Sequence, residues 1–145
     1  MKNLTQNQIN KILKKKFDIE KSWLYNQFHK TYEKNIWVFE ITLEKAVDKF
    51  LKFLRFKGIQ KILFFPEPTF DFEEVGAKIL DIGESEGFLL KHVSTITNNH
   101  IADLNLDWIF TFGHEEDFLI SGKKEFVDIA VKYFKNVKLE ESLRR

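Results

Sequence analysis

The chain contains no cysteine, only two prolines and one methionine, and no arginine before Arg55. Without thiols there is no disulfide, no thiolate-bound metal and no cysteine nucleophile. No segment approaches the ~18 apolar residues of a membrane span. Residues 1–17 break up their apolar positions with Lys, Asn and Gln where a secretory leader would be continuous. The expectation is a cytoplasmic protein with no membrane partner. The late appearance of arginine bears on the lysine-rich start, where Lys11, Lys14, Lys15, Lys16 and Lys21 resemble a phosphate-contacting face. Arginine is the preferred reader of base edges, and the chain's net charge is only +1, so these lysines read as a solvated helix face and nucleic acid is not the expected partner.

Against those scarcities stand sixteen phenylalanines and a strongly segregated charge. Residues 66–117 hold twelve acids and two lysines, a net charge of −10, while the flanking segments are basic. Such segregation can steer an oppositely charged macromolecule if the fold preserves it on the surface. A length of 145 residues suits a single domain with a well-supplied aromatic core, its last residues, about 137–145, reading as a frayed polar tail.

The order of elements follows from periodicity and caps. Thr5-Gln6-Asn7-Gln8 is a capping box with Leu4 and Ile9 placed as a hydrophobic staple, and a second helix is expected over 19–33 behind Asp18, with Trp23, Leu24, Phe28 and Tyr32 inward. Residues 36–42 are β-branched and aromatic on both faces, the pattern of a covered strand. Helical spacing returns over 43–56 and stops at Gly58, and 60–65 is another apolar run, so these three segments read as a βαβ unit. Asp71-Phe72-Glu73-Glu74 suggests a further helix to Ile82 ending at Gly83, followed by a strand over 88–97 and a turn at Asn98-Asn99-His100. Residues 107–112 and 118–121 form a hairpin around a short Gly-containing connection, and 123–136 a closing helix capped by Ser121. The resulting class is mixed α+β: an N-terminal helical pair, one βαβ unit, then a hairpin and a C-terminal helix on a single mixed sheet of about five strands.

Most familiar chemistries fail on spacing. Asp103-Leu104-Asn105-Leu106-Asp107 opens like a calcium loop, but Trp108 and His114 occupy the positions needing glycine and a bidentate glutamate. Ser121-Gly122-Lys123-Lys124 lacks the glycines of a phosphate loop or a nucleophile elbow. No motif requires a cofactor. The densest polar cluster is His114, Glu115, Glu116 and Asp117 at the hairpin tip, with Asp107 at the start of the preceding strand and Asp103 before it. One imidazole among carboxylates suits a divalent cation, so a metal-assisted hydrolase or phosphate-handling enzyme centred on His114 is the alternative reading. The combination of size, mixed architecture, acidic region and a Trp108 hairpin running into the last helix resembles the small bacterial immunity proteins that neutralise toxins of competing cells. That resemblance implies a non-catalytic domain occluding a protein partner, basic when the toxin is a nuclease, with Asp103, Asp107, His114, Glu115, Glu116 and Asp117 at the interface.

Overall fold

A computed structural model describes residues 1–20, 24–39, 42–67, 76–92, 98–112 and 117–134. Its elements are β1 (Lys2–Leu4), α1 (Gln6–Leu13), a 3₁₀ turn (Leu24–Gln27), α2 (Phe28–Thr31), β2 (Lys34–Phe39), α3 (Leu43–Phe56), β3 (Lys61–Pro66), β4 (Ala77–Asp81), α4 (Ile82–His92), β5 (Asn99–Ala102), β6 (Ile109–Phe112), β7 (Asp117–Gly122) and α5 (Lys124–Val131). The seven strands form one sheet in the order β1-β4-β3-β5-β6-β7-β2, and every neighbouring pair is antiparallel. The class is the expected α+β, with more strands than expected and none parallel to its neighbour.

Helices cover both faces. Alternation along β3 sends Leu63 and Phe65 to the side of α1 and α2, and Ile62 and Phe64 to the side of α3, α4 and α5. The larger core lies on the latter side, where Phe50 stacks on Phe110 at 4.0 Å and Trp108 on Phe126 at 5.2 Å. Phe50, Phe53, Phe64, Phe110 and Phe112 are all fully buried, each contributing about 1.5–3 kcal/mol relative to an exposed ring. Most of the described phenylalanines are therefore core material on the two faces of the sheet, with Phe56 exposed at 70 %.

Several local readings hold. Thr5 Oγ1 accepts from the Gln8 N–H at 3.1 Å while Gln8 Oε1 accepts from the Thr5 N–H at 2.9 Å, and Leu4 and Ile9 pack in the same cluster. α3 spans the expected residues behind a Thr42 cap and ends at Gly58, whose φ of +75° suits glycine. The 109–122 hairpin forms, with Phe112 opposite Phe118.

Other readings are overturned. Four successive antiparallel pairings make β2 and β3 parallel, but β7, β6 and β5 lie between them, so β2-α3-β3 is a long crossover and not a paired βαβ unit. Residues 77–81 are a strand and 82–92 a helix, the reverse of the assignment there. The helix starts at a second Asp-x-x-Glu box, Asp81-Ile82-Gly83-Glu84: Glu84 Oε1 accepts from the Asp81 N–H at 3.0 Å, and the Ser85 hydroxyl donates to the Asp81 carbonyl at 2.8 Å. Gly83 thus lies inside a helix, and residues 71–75 and 93–97 of the earlier assignments fall outside the described residues. Asn99 and His100 belong to β5 in the sheet interior, not to a turn. The expected second helix is cut short because Asp18 and Gln27 bond to backbone groups locally: the Asp18 carboxylate accepts from the Glu20 N–H, and Gln27 bonds both the N–H and the carbonyl of Asp18. Trp23 falls outside the described residues. Ser121 is a buried β7 residue and caps nothing. The N-cap of α5 is Lys123, and the orphan N–H of Lys124 donates instead to Glu33 Oε1 at 2.6 Å, a carboxylate 91 positions away.

Candidate functional site

Of the expected interface residues, Asp103 and Asp107 frame the tight turn joining β5 to β6. Asp103 Oδ2 accepts from the N–H groups of Asn105 (3.0 Å) and Asp107 (3.4 Å), and the Asp103 N–H donates to the Trp108 carbonyl at 3.1 Å. Leu106 adopts a φ of +60°, uncommon for a side chain of its size, and buries itself against the α1–α2 layer. Its carbonyl receives the Tyr32 hydroxyl at 2.7 Å and Lys16 Nζ at 3.1 Å, and Lys16 also reaches Asp107 Oδ1 at 3.4 Å. The turn is therefore fastened to both N-terminal helical segments. Burial holds the Tyr32 phenol far above its ordinary pKa, with the charges of Asp107 and Asp103 acting in the same direction. An open cleft of about 320 Å³ adjoins the turn, lined by Lys16, Thr31, Tyr32, Glu33, Asp107, Gly122 and Lys123. At the tip, Leu104 remains 38 % exposed between the two aspartates.

Asp117 lies elsewhere. It opens β7 opposite Phe39, beyond the end of β6 remote from Asp107, and the four residues of β6 separate the two acidic groups, a span of about 10 Å or more at ~3.3 Å per residue. His114, Glu115 and Glu116 lie outside the described residues. Among the described members of the set, Asp103 and Asp107 therefore do not share one end of the sheet with Asp117. Among the described residues, no group of three or more His, Asp or Glu side chains is placed to hold a metal ion.

The fold also assembles a polar set that the sequence reading passed over. His100 Nε2 is 2.9 Å from Glu67 Oε1, and His100 Nδ1 is 2.8 Å from Thr111 Oγ1. Glu67 Oε2 accepts from the Leu24 N–H at 2.8 Å, and the Glu67 N–H donates to the Asn98 carbonyl at 3.0 Å. Phe28 and Phe65 pack their rings on the imidazole. Hydroxyl, imidazole and carboxylate in series carry the groups of a hydrolytic triad. Their exposures are 1 %, 0 % and 0 %, and the set ties β3, β5, β6 and the 3₁₀ turn together through satisfied buried polar groups. The available signal was Glu67 itself, a carboxylate one proline beyond the apolar run 62–65, followed 33 residues later by a histidine before Ile101 and Ala102.

Charge segregation along the chain does not survive folding intact. Asp81 pairs with Lys61 at 2.9 Å, Glu84 with the N-terminal ammonium at 3.2 Å, and Asp107 with Lys16. Lys61 lowers the Asp81 carboxyl below its ordinary pKa. For Glu84 the leading cause of the same shift is the Asp81 N–H, followed by the N-terminus. Asp128 is lowered by Lys124 and Lys34 together, and Lys124 is raised in return, chiefly by its hydrogen bond to Asp128. The basic partners of Asp81, Glu84 and Asp107 come from outside the acidic stretch: the N-terminus ahead of β1, Lys61 of β3 and Lys16 just after α1. Within that framework the 103–107 turn is distinctive in exposing an apolar side chain between two carboxylates.

No family model matches the chain, and no curated protein or solved structure shows significant similarity to it.

Proposed function

We propose that the protein is a non-catalytic protein-binding domain of the immunity type, which neutralises a basic toxin by covering it with a carboxylate-bearing surface. The observation that carries this reading is the turn at 103–108. It is held by the bonds of Asp103, anchored from below by Tyr32 and Lys16, and presents Leu104 between Asp103 and Asp107. A turn already rigid in the free protein loses little entropy on docking. Carboxylates around an apolar contact accelerate encounter with a lysine- and arginine-rich partner and set its orientation. The sealing of the Glu67–His100–Thr111 set also favours binding over catalysis. A cytoplasmic location belongs to the same reading.

The test is affinity capture from the native lysate at low and moderate salt with three baits: the wild type, a Leu104→Arg, Asp107→Lys variant, and a Glu115→Lys, Glu116→Lys, Asp117→Lys variant. The reading expects a basic protein on the wild type, weakened by salt and lost from the first variant. Retention on the first variant and loss from the second would move the interface to the other end of β6. Capture of no basic protein by the wild type would overturn the reading.

A further inference from the structure

The sheet has two outer strands, and they are built differently. β1 is only three residues long, carries Lys2, and is flanked by the ion pair of the N-terminus with Glu84 and the bond from Lys78 to Asn3. Short, charged edges are how natural sheets discourage further pairing. β2 is twice as long, and its one charge sits at its first residue. Its six residues pair one for one with β7, from Lys34 opposite Gly122 to Phe39 opposite Asp117, with no bulge, and Asn35, Ile36, Trp37, Val38 and Phe39 carry no charge. The single cation, Lys34, is neutralised within the chain by Asp128. Among the described residues, no strand pairs with the outer side of β2. Trp37, in the middle of the strand, packs against the α1–α2 layer yet stays only partly buried.

We propose that β2 pairs antiparallel with β2 of a second copy of this chain about a two-fold axis near Trp37, joining two sheets into one. The operation continues the alternation found in every neighbouring pair of the sheet. An axis near Trp37 brings Ile36, Trp37 and Val38 against one another, and with Lys34 already neutralised no like charges oppose the approach. A charge-free strand offers nothing to select a foreign strand, whereas a two-fold supplies a matching edge from the same molecule. Two six-residue edges bury less than a standard interface, so the dimer is reversible and concentration-dependent. Tryptophan near the axis supplies the kind of anchor on which such small interfaces depend. This inference stands apart from the toxin-binding reading and survives its failure.

The experiment is sedimentation equilibrium of the full chain over a wide concentration range, combined with amide hydrogen exchange at both extremes. The expected result is a reversible monomer–dimer equilibrium, with exchange of the β2 amides slowing as concentration rises and that of β1 unchanged. Trp37→Lys, which sets two cations near the axis, should weaken dimerisation roughly tenfold or more. Because that substitution can also disturb the fold, the wild-type exchange pattern is the deciding measurement. A monomer at every concentration, or a dimer in which β2 exchange does not change, would overturn the proposal. β2 protection that arises only on adding a different protein would overturn it equally.

Discussion

His100 Nε2 lies 2.9 Å from Glu67 Oε1, and both side chains are fully buried. Deleting one member leaves one buried polar atom of the other without its partner, while the Leu24 N–H still holds Glu67 Oε2 and Thr111 still holds His100 Nδ1. Glu67→Ala or His100→Ala is expected to cost about 1–3 kcal/mol, because a buried polar atom left without its partner carries its desolvation penalty. The Glu67→Ala, His100→Ala double variant should cost less than the sum of the singles. Urea unfolding of all four proteins tests this, and additive losses would show that the two side chains are not coupled.

Tyr32 and Lys16 share one acceptor, the Leu106 carbonyl. Tyr32→Phe therefore leaves that carbonyl with a remaining donor, and the expected loss is about 1 kcal/mol, the low end for a buried hydrogen bond. Pairing the substitution with Lys16→Met should give a loss larger than the two single losses combined, since the carbonyl then has neither donor. Thermal unfolding of the three variants reads this out.

Glu33 supplies a cap that the local sequence of α5 lacks. Glu33→Ala should cost about 1 kcal/mol, typical of a lost N-cap, and should speed amide exchange in the first turn of α5 with little effect on α3. Glu33→Gln, which keeps an acceptor oxygen, should recover most of the loss. Equal exchange in all three proteins would remove Glu33 as the cap.

The exposed ion pairs set the pH limits of this electrostatic stabilisation. Asp81, Glu84 and Asp128 are all lowered in the fold, so their contribution is present above the ordinary values of 3.8, 4.5 and 3.8 and is lost as pH falls through the lowered folded values. Lys124 is raised, so its contribution is present below 10.5 and is lost as pH rises through the raised value. Carboxyl titration by NMR should place Asp81 below its ordinary value, and Lys61→Ala should return it upward. High salt should shrink the same shift, because the pair is open to solvent. An Asp81 titration unmoved by Lys61→Ala would assign the shift to another cause.

How much of this was legible in the sequence depends on the range of the interaction that decides each element. α3, the Thr5 box and the 109–122 hairpin are decided by neighbours within a few residues, and all three were readable. The Asp71 and Asp81 boxes have the same spacing, so spacing alone could not choose between them. The outcome at 77–92 reflects a strand, β4, that completes its pairing with β1 and β3, both remote in sequence. Strand order was hidden for the same reason, because β2 meets β7 only across some eighty positions. At the candidate site the turn aspartates were visible, but their anchors were not: Lys16 looked like one more solvated lysine, and Tyr32 like the inward face of a longer helix. His100 was missed because two asparagines before it suggested a turn, whereas its hydrogen-bond partners come from β6 and from the residue that follows β3.

The distance in sequence between β2 and its partner also sets a timetable for biosynthesis. At roughly 5–20 residues per second, a ribosome needs about 4–16 s to proceed from Phe39 to the start of β7, and longer before β7 clears the exit tunnel. Throughout that interval Ile36, Trp37, Val38 and Phe39 are a finished, strand-prone segment whose native neighbour has not yet been made. Domains whose pairings are this distant fold slowly, so the newborn chain must shelter this segment, by helix packing or by chaperone, until its last strand arrives.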